Sequence, residues 1–76
     1  SLEEALLLIT TADIALEQAE TNLKQSQDNY DVGMGTLLDV LDAQTQWQEA
    51  YSNSIEAKID YKIKEIEYLK AMGTLE

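Results

Sequence analysis

Seventy-six residues with fifteen acidic side chains, five lysines and a net charge of −10 form at most one small unit, and that charge argues against nucleic acid and against anionic membrane surfaces as partners. Histidine and cysteine are absent, which removes disulfides, zinc sites and the usual nucleophile–base pairs, so no enzyme, no cofactor and no metal site is expected. Proline is also absent and there are only three glycines, a composition that points to long helices. No stretch of about 18 apolar residues is present to span a bilayer as a helix. LLLI at residues 6–9 is too short, and too closely flanked by acid, to act as a signal or an anchor.

The first half keeps an unbroken heptad: Leu2, Ala5, Ile9, Ala12, Leu16, Ala19, Leu23, Ser26 and Tyr30 follow one another at spacings of three and four. This predicts a helix over about residues 2–31. A turn follows over about 32–35, where Gly33 suits the left-handed position just past a helix end. Thr36-Leu37-Leu38-Asp39 reads as a capping box, with Asp39 in the place usually taken by Glu. The second helix is expected over about 36–72. Its heptad runs Val40, Ala43, Trp47, Ala50, Ser54, Ala57, Tyr61, Lys64, Tyr68, Ala71 and Leu75, and Lys64, its one charged member, can carry its ammonium out to water along its stem.

So short a turn forces the helices antiparallel. Folding about Gly33 sets Leu23 opposite Ala43, Ala19 opposite Trp47, Leu16 opposite Ala50, Ile9 opposite Ala57 and Ala5 opposite Tyr61. Large meets small at each of these levels, which lets the two rows interdigitate. The fold class is therefore all-α, an antiparallel two-helix coiled-coil hairpin over residues 1–76, with Trp47 and Tyr61 on its seam.

The outer faces divide the hairpin along its length. Near the turn they carry Thr21, Asp28, Thr45 and Ser52; farther away they carry Leu7, Ile14, Ile55, Ile59, Ile63, Ile66 and Leu69. A helix apolar on two opposite sides has neighbours on both. The remote half is thus expected to pack into a larger helical wall or, in isolation, to self-associate, while the half near the turn projects. Leu2 already faces Lys64, so Tyr68, Ala71 and Leu75 lack partners within the chain, and the chain is expected to be a piece of a longer protein.

The run YDVGMGTLLDVLDAQTQWQEAYSNSIEAKIDYKIKEIEYLKAMGTL resembles the C-terminal helical repeat of TolC-type outer-membrane efflux proteins. The matching elements are Tyr30, Val32-Gly33, the run from Leu38 to Ala43 with its two aspartates, Tyr61 and the close from Ala71 to Leu75; upstream, AETNLKQSQDNY resembles the end of the preceding helix. The resemblance implies a segment of the periplasmic α-helical tunnel of a homotrimeric outer-membrane channel in a Gram-negative bacterium. Such a channel exports substrates with a periplasmic adaptor protein and, indirectly, an inner-membrane pump. It further implies that Asp39 and Asp42 line the closed aperture as a cation-attracting ring. Val32, Gly33 and Met34 would form the tip that meets the adaptor, and Tyr30 would contact a neighbouring hairpin. Some members carry an Arg immediately before the capping Thr, where this chain has Gly35, so links made through that Arg are not expected here. Two other readings compete: the hairpin of an adaptor protein, and a generic structural coiled coil. Without the resemblance, Asp39 reads as a cap, Asp42 as a solvated surface carboxylate, and the tip as a turn that needs glycine.

Overall fold

The computed structural model describes residues 2–73. They form two helices, α1 (Leu2–Asp31) and α2 (Leu37–Ala71), folded back on each other as an antiparallel hairpin. The result is a rod of 61 × 15 × 12 Å, which is the all-α hairpin expected from the two heptads.

The turn is built by local bonds. Gly33 adopts φ +79°, the left-handed conformation in which a side chain would be strained. Its N–H donates to the Tyr30 carbonyl at 3.1 Å, and the Met34 N–H donates to the Asn29 carbonyl at 2.8 Å. These two bonds are the Schellman closure of a helix C-terminus. Gly35 adds a third, donating to the same Asn29 carbonyl at 3.1 Å. A Cβ at position 35 would lie 3.2 Å from the Asn29 Cβ, so the chain passes close to α1 there and glycine suits it. Then Thr36 caps α2: the Asp39 N–H donates to Thr36 Oγ1 at 3.1 Å and the Thr36 N–H donates to Asp39 Oδ2 at 3.3 Å. The capping box read from the sequence is complete. Asp39 also places a negative charge at the positive end of the α2 dipole. At its far end α2 closes on Gly73, φ +72°, whose N–H donates to the Lys70 carbonyl at 3.0 Å.

The seam follows both heptads. Ala5, Val40, Ala43 and Ser54 are buried. Ile9, Leu16 and Leu23 from α1, and Trp47, Ala50, Ala57 and Tyr61 from α2, are half-buried. Among the described residues no large side chain is fully buried. Lys64 keeps its seam position with its ammonium outside, 4.0 Å from Asp60 Oδ1. Tyr68 and Ala71 are exposed; Leu75 lies outside the described residues.

The outer surface departs from the sequence reading in two places. Leu69 is half-buried rather than outward. Near the turn the outside is not uniformly polar, because Leu37, Leu38 and Leu41 are all exposed on the first turns of α2. The remote half does carry exposed Leu7 and Ile14 on α1 and exposed Ile55, Ile59, Ile63 and Ile66 on α2. Since the seam lies between the helices, these two groups occupy opposite poles of the rod.

Two outcomes are expected. Covering each half-exposed isoleucine gains on the order of 1 kcal/mol, so the isolated chain self-associates through its remote half; a folded monomer at high concentration by analytical ultracentrifugation would contradict this. Asp39→Ala removes half of the capping box and lowers stability by about 0.5–2 kcal/mol, read by thermal or urea unfolding, whereas Asp42→Ala, beyond the capping turn, changes it by only a few tenths.

Candidate functional site

The end of the rod that carries the turn gathers the residues singled out from the sequence. Asp39 and Asp42, one helical turn apart, share one flank of α2. Together with Asn22, Ser26 and Asn29 of α1 and with Gln46, they line a shallow, mostly polar cleft of about 260 Å³. The cleft is spanned by a hydrogen bond from Asn22 Nδ2 to Gln46 Oε1 at 3.4 Å. Gly35 and Met34 close its outer end. The lysines found in ion pairs are Lys24, Lys58, Lys62 and Lys64, and their partners lie elsewhere. Asp39 and Asp42 are both exposed. Asp39 is committed through one oxygen to the cap, while Asp42 stands with its carboxylate toward water. Two solvated carboxylates beside amide groups can attract cations weakly; among the described residues no group of side chains is arranged to hold a metal ion.

The tip itself presents apolar surface. Val32 is 69% and Met34 82% exposed, held out by the backbone bonds of the turn, with Gly33 between them. Leu37, Leu38 and Leu41 continue this surface onto α2. The sequence reading did not single out these leucines, although their absence from the seam heptad was the available signal. Tyr30 lies just behind the tip and is 42% exposed; it is not part of the aspartate cleft. Position 35 is a glycine, so no side chain enters the cleft from there.

Two further features escaped the sequence reading. Trp47 stacks on Tyr51, ring centroids 5.3 Å apart at an interplanar angle of 14°, so one face of its ring is covered by its own helix; the i, i+4 spacing was the available signal. Ser54, the buried hydroxyl of the seam, donates to Asp13 Oδ1 at 2.8 Å, and Lys58 Nζ lies 3.6 Å from the same oxygen.

The outer membrane efflux protein family matches residues 2–74. Curated relatives include the outer membrane protein TolC of Vibrio cholerae serotype O1 (strain ATCC 39315 / El Tor Inaba N16961), 34% identical over 61 residues, which is 80% of this chain and 14% of the relative. The outer membrane protein TolC of Escherichia coli (strain K12) is likewise 34% identical over 61 residues, covering 80% of this chain and 12% of the relative. The chain thus spans only a small part of the length of these relatives. No solved structure matches it. Matched by the family over nearly its whole length and similar to two TolC proteins across the turn and both helices, the chain belongs to the outer membrane efflux protein family, and this helical part of it is periplasmic.

Proposed function

We propose that this hairpin is a segment of the periplasmic tunnel of a trimeric efflux channel and forms part of its aperture. It is a passive conduit, opened when the hairpins move outward under the action of a periplasmic adaptor protein and, through it, an inner-membrane pump. The observation that carries this reading is the position of Asp39 and Asp42. Both carboxylates sit on one flank at the tip end of a rigid rod, outside the seam and without an ion-pair partner among the described lysines. Three copies set around an axis would place six carboxylates in two rings, which hold cations and repel anions. Support for the wall comes from the opposite apolar poles: Leu7 and Ile14 on one side and the isoleucines of α2 on the other suit a wall one helix thick, in which each helix is flanked on both sides. Support for adaptor docking comes from Val32, Gly33 and Met34, joined by Leu37, Leu38 and Leu41, an apolar tip surface whose backbone is fixed by its own hydrogen bonds. Tyr30, exposed one step behind the tip, would contact a neighbouring hairpin. An adaptor hairpin is the weaker reading, because the family match falls on the channel side.

In the parent channel, Asp42→Ala should weaken block by multivalent cations on the order of tenfold, since three charges near a bound cation are lost, with no matching loss of hairpin stability. Single-channel conductance with and without a trivalent cation measures this; unaltered block would make Asp42 an ordinary surface carboxylate. Gly33→Ala should cost roughly 1 kcal/mol at the turn, and Gly33→Leu should abolish adaptor cross-linking while trimer assembly survives. Unchanged cross-linking in Gly33→Leu would remove the tip from the docking mechanism.

A further inference from the structure

The most exposed large apolar side chain among the described residues stands on the turn. Met34 is 82% exposed, against 59% for Met72, the other methionine, at the opposite end of the rod. Glycines precede and follow Met34, so neither chain neighbour has a side chain to screen its sulfur. The backbone holds the residue out: its N–H donates to the Asn29 carbonyl at 2.8 Å, and Gly33 before it turns the chain at φ +79°. The thioether takes no part in the seam. It borders two surfaces of opposite character, the apolar tip with Val32 and the polar cleft with Asp39 and Asp42. A thioether open to solvent is oxidised to the sulfoxide, which turns a flexible apolar side chain into a polar one. Hydrogen peroxide is a neutral oxidant, so the net charge of −10 does not hold it off. The sulfur lone pair attacks one peroxide oxygen, the O–O bond breaks, and the hydroxide released takes the proton from the new S–OH group. Thioether and peroxide thus become sulfoxide and water; the sulfur gives up two electrons and the peroxide accepts them.

On the reading of the tip as the adaptor contact, we propose that Met34 is an oxidative modification site and that its sulfoxide, formed by a peroxide, releases the tip from the adaptor. Docking covers the thioether at little cost. A sulfoxide oxygen covered by an apolar partner gives up its hydrogen bonds to water without replacement, which weakens docking on the order of tenfold. The hairpin itself does not respond, because the turn is closed by backbone bonds and the seam excludes Met34. A docked adaptor shields the sulfur, so the oxidant acts on the free tip and keeps it free. Met72 lies at the other end of the rod, away from the docking surface. Methionine sulfoxide reductases return the thioether, one enzyme for each sulfoxide epimer, so the modification is reversible.

The site is tested on this chain with hydrogen peroxide and mass spectrometry of its peptides. Sulfoxide should form at Met34 at least as fast as at Met72, with helicity and melting temperature unchanged; a Met34 that stays reduced while Met72 oxidises would overturn the site. The consequence is tested in the parent channel, which is treated with peroxide, freed of oxidant and then titrated with untreated adaptor. Affinity should fall on the order of tenfold and return after treatment with both methionine sulfoxide reductases and dithiothreitol. Met34→Leu, whatever its affinity before treatment, should show the same affinity after it, while Met72→Leu should keep the full loss. A loss that persists in Met34→Leu, or an affinity that survives complete oxidation of Met34, would overturn the release and leave tip docking standing. Adaptor binding by Gly33→Leu equal to that of the parent would instead remove tip docking, and the release with it.

Discussion

A knob on a seam between two helices is covered by one neighbouring helix and by nothing else, and its flanks stay in contact with water. That geometric limit governs this molecule. Among the described residues only alanine, valine and serine are buried on the seam, because only small side chains fit entirely within the line where two helical cylinders touch. Ile9, Leu16, Leu23, Trp47 and Tyr61 sit on the same line and remain half-covered. The hairpin therefore gains less from its apolar residues than a globular domain of equal length would. Much of what fixes its shape is local: the two Schellman bonds after α1, the capping box before α2, and helical propensity uninterrupted by proline.

The same limit explains the division of the outer surface. Where the seam cannot bury enough, stability must come from outside the hairpin, and the remote half exposes apolar side chains on both poles. Toward the turn the flanks become polar, with amides and carboxylates around the Asp39–Asp42 cleft, and apolar exposure moves to the tip. A rod with exposed apolar poles at one end and a polar stem at the other would suit the proposed segment of a tunnel wall.

The heptads, the antiparallel pairing and the capping box were legible in the sequence because each depends on residues close together in the chain or on a periodicity that a single helix displays. Gly33 was legible for the same reason: a left-handed closure has a residue preference of its own. Two of the features that were not legible combine the two helices. The Asp13–Ser54 bond joins residues forty-one apart and requires the register before it can be seen. The cleft at Asp39 and Asp42 is made as much by Asn22 and Asn29 as by the aspartates. Leu37, Leu38 and Leu41 went unremarked although none falls on the seam heptad, and they are exposed.

The acidity of the chain fits this arrangement physically. Fifteen carboxylates on seventy-six residues repel one another, and most are dispersed on flanks where water screens them. The lysines answer them singly, by exposed pairs such as Lys24–Asp28 and Lys62–Glu65, which contribute little to stability. Asp39 and Asp42 stand outside this compensation. Asp39 is tied to the helix start, where the dipole favours its charge, and Asp42 lies one turn deeper with no such support. A glycine at position 35, whose N–H donates to the Asn29 carbonyl at 3.1 Å, supplies no cation to them either. Whatever offsets the charge of these two groups in an assembly must therefore come from outside the hairpin, as a mobile ion or as a side chain of a neighbour.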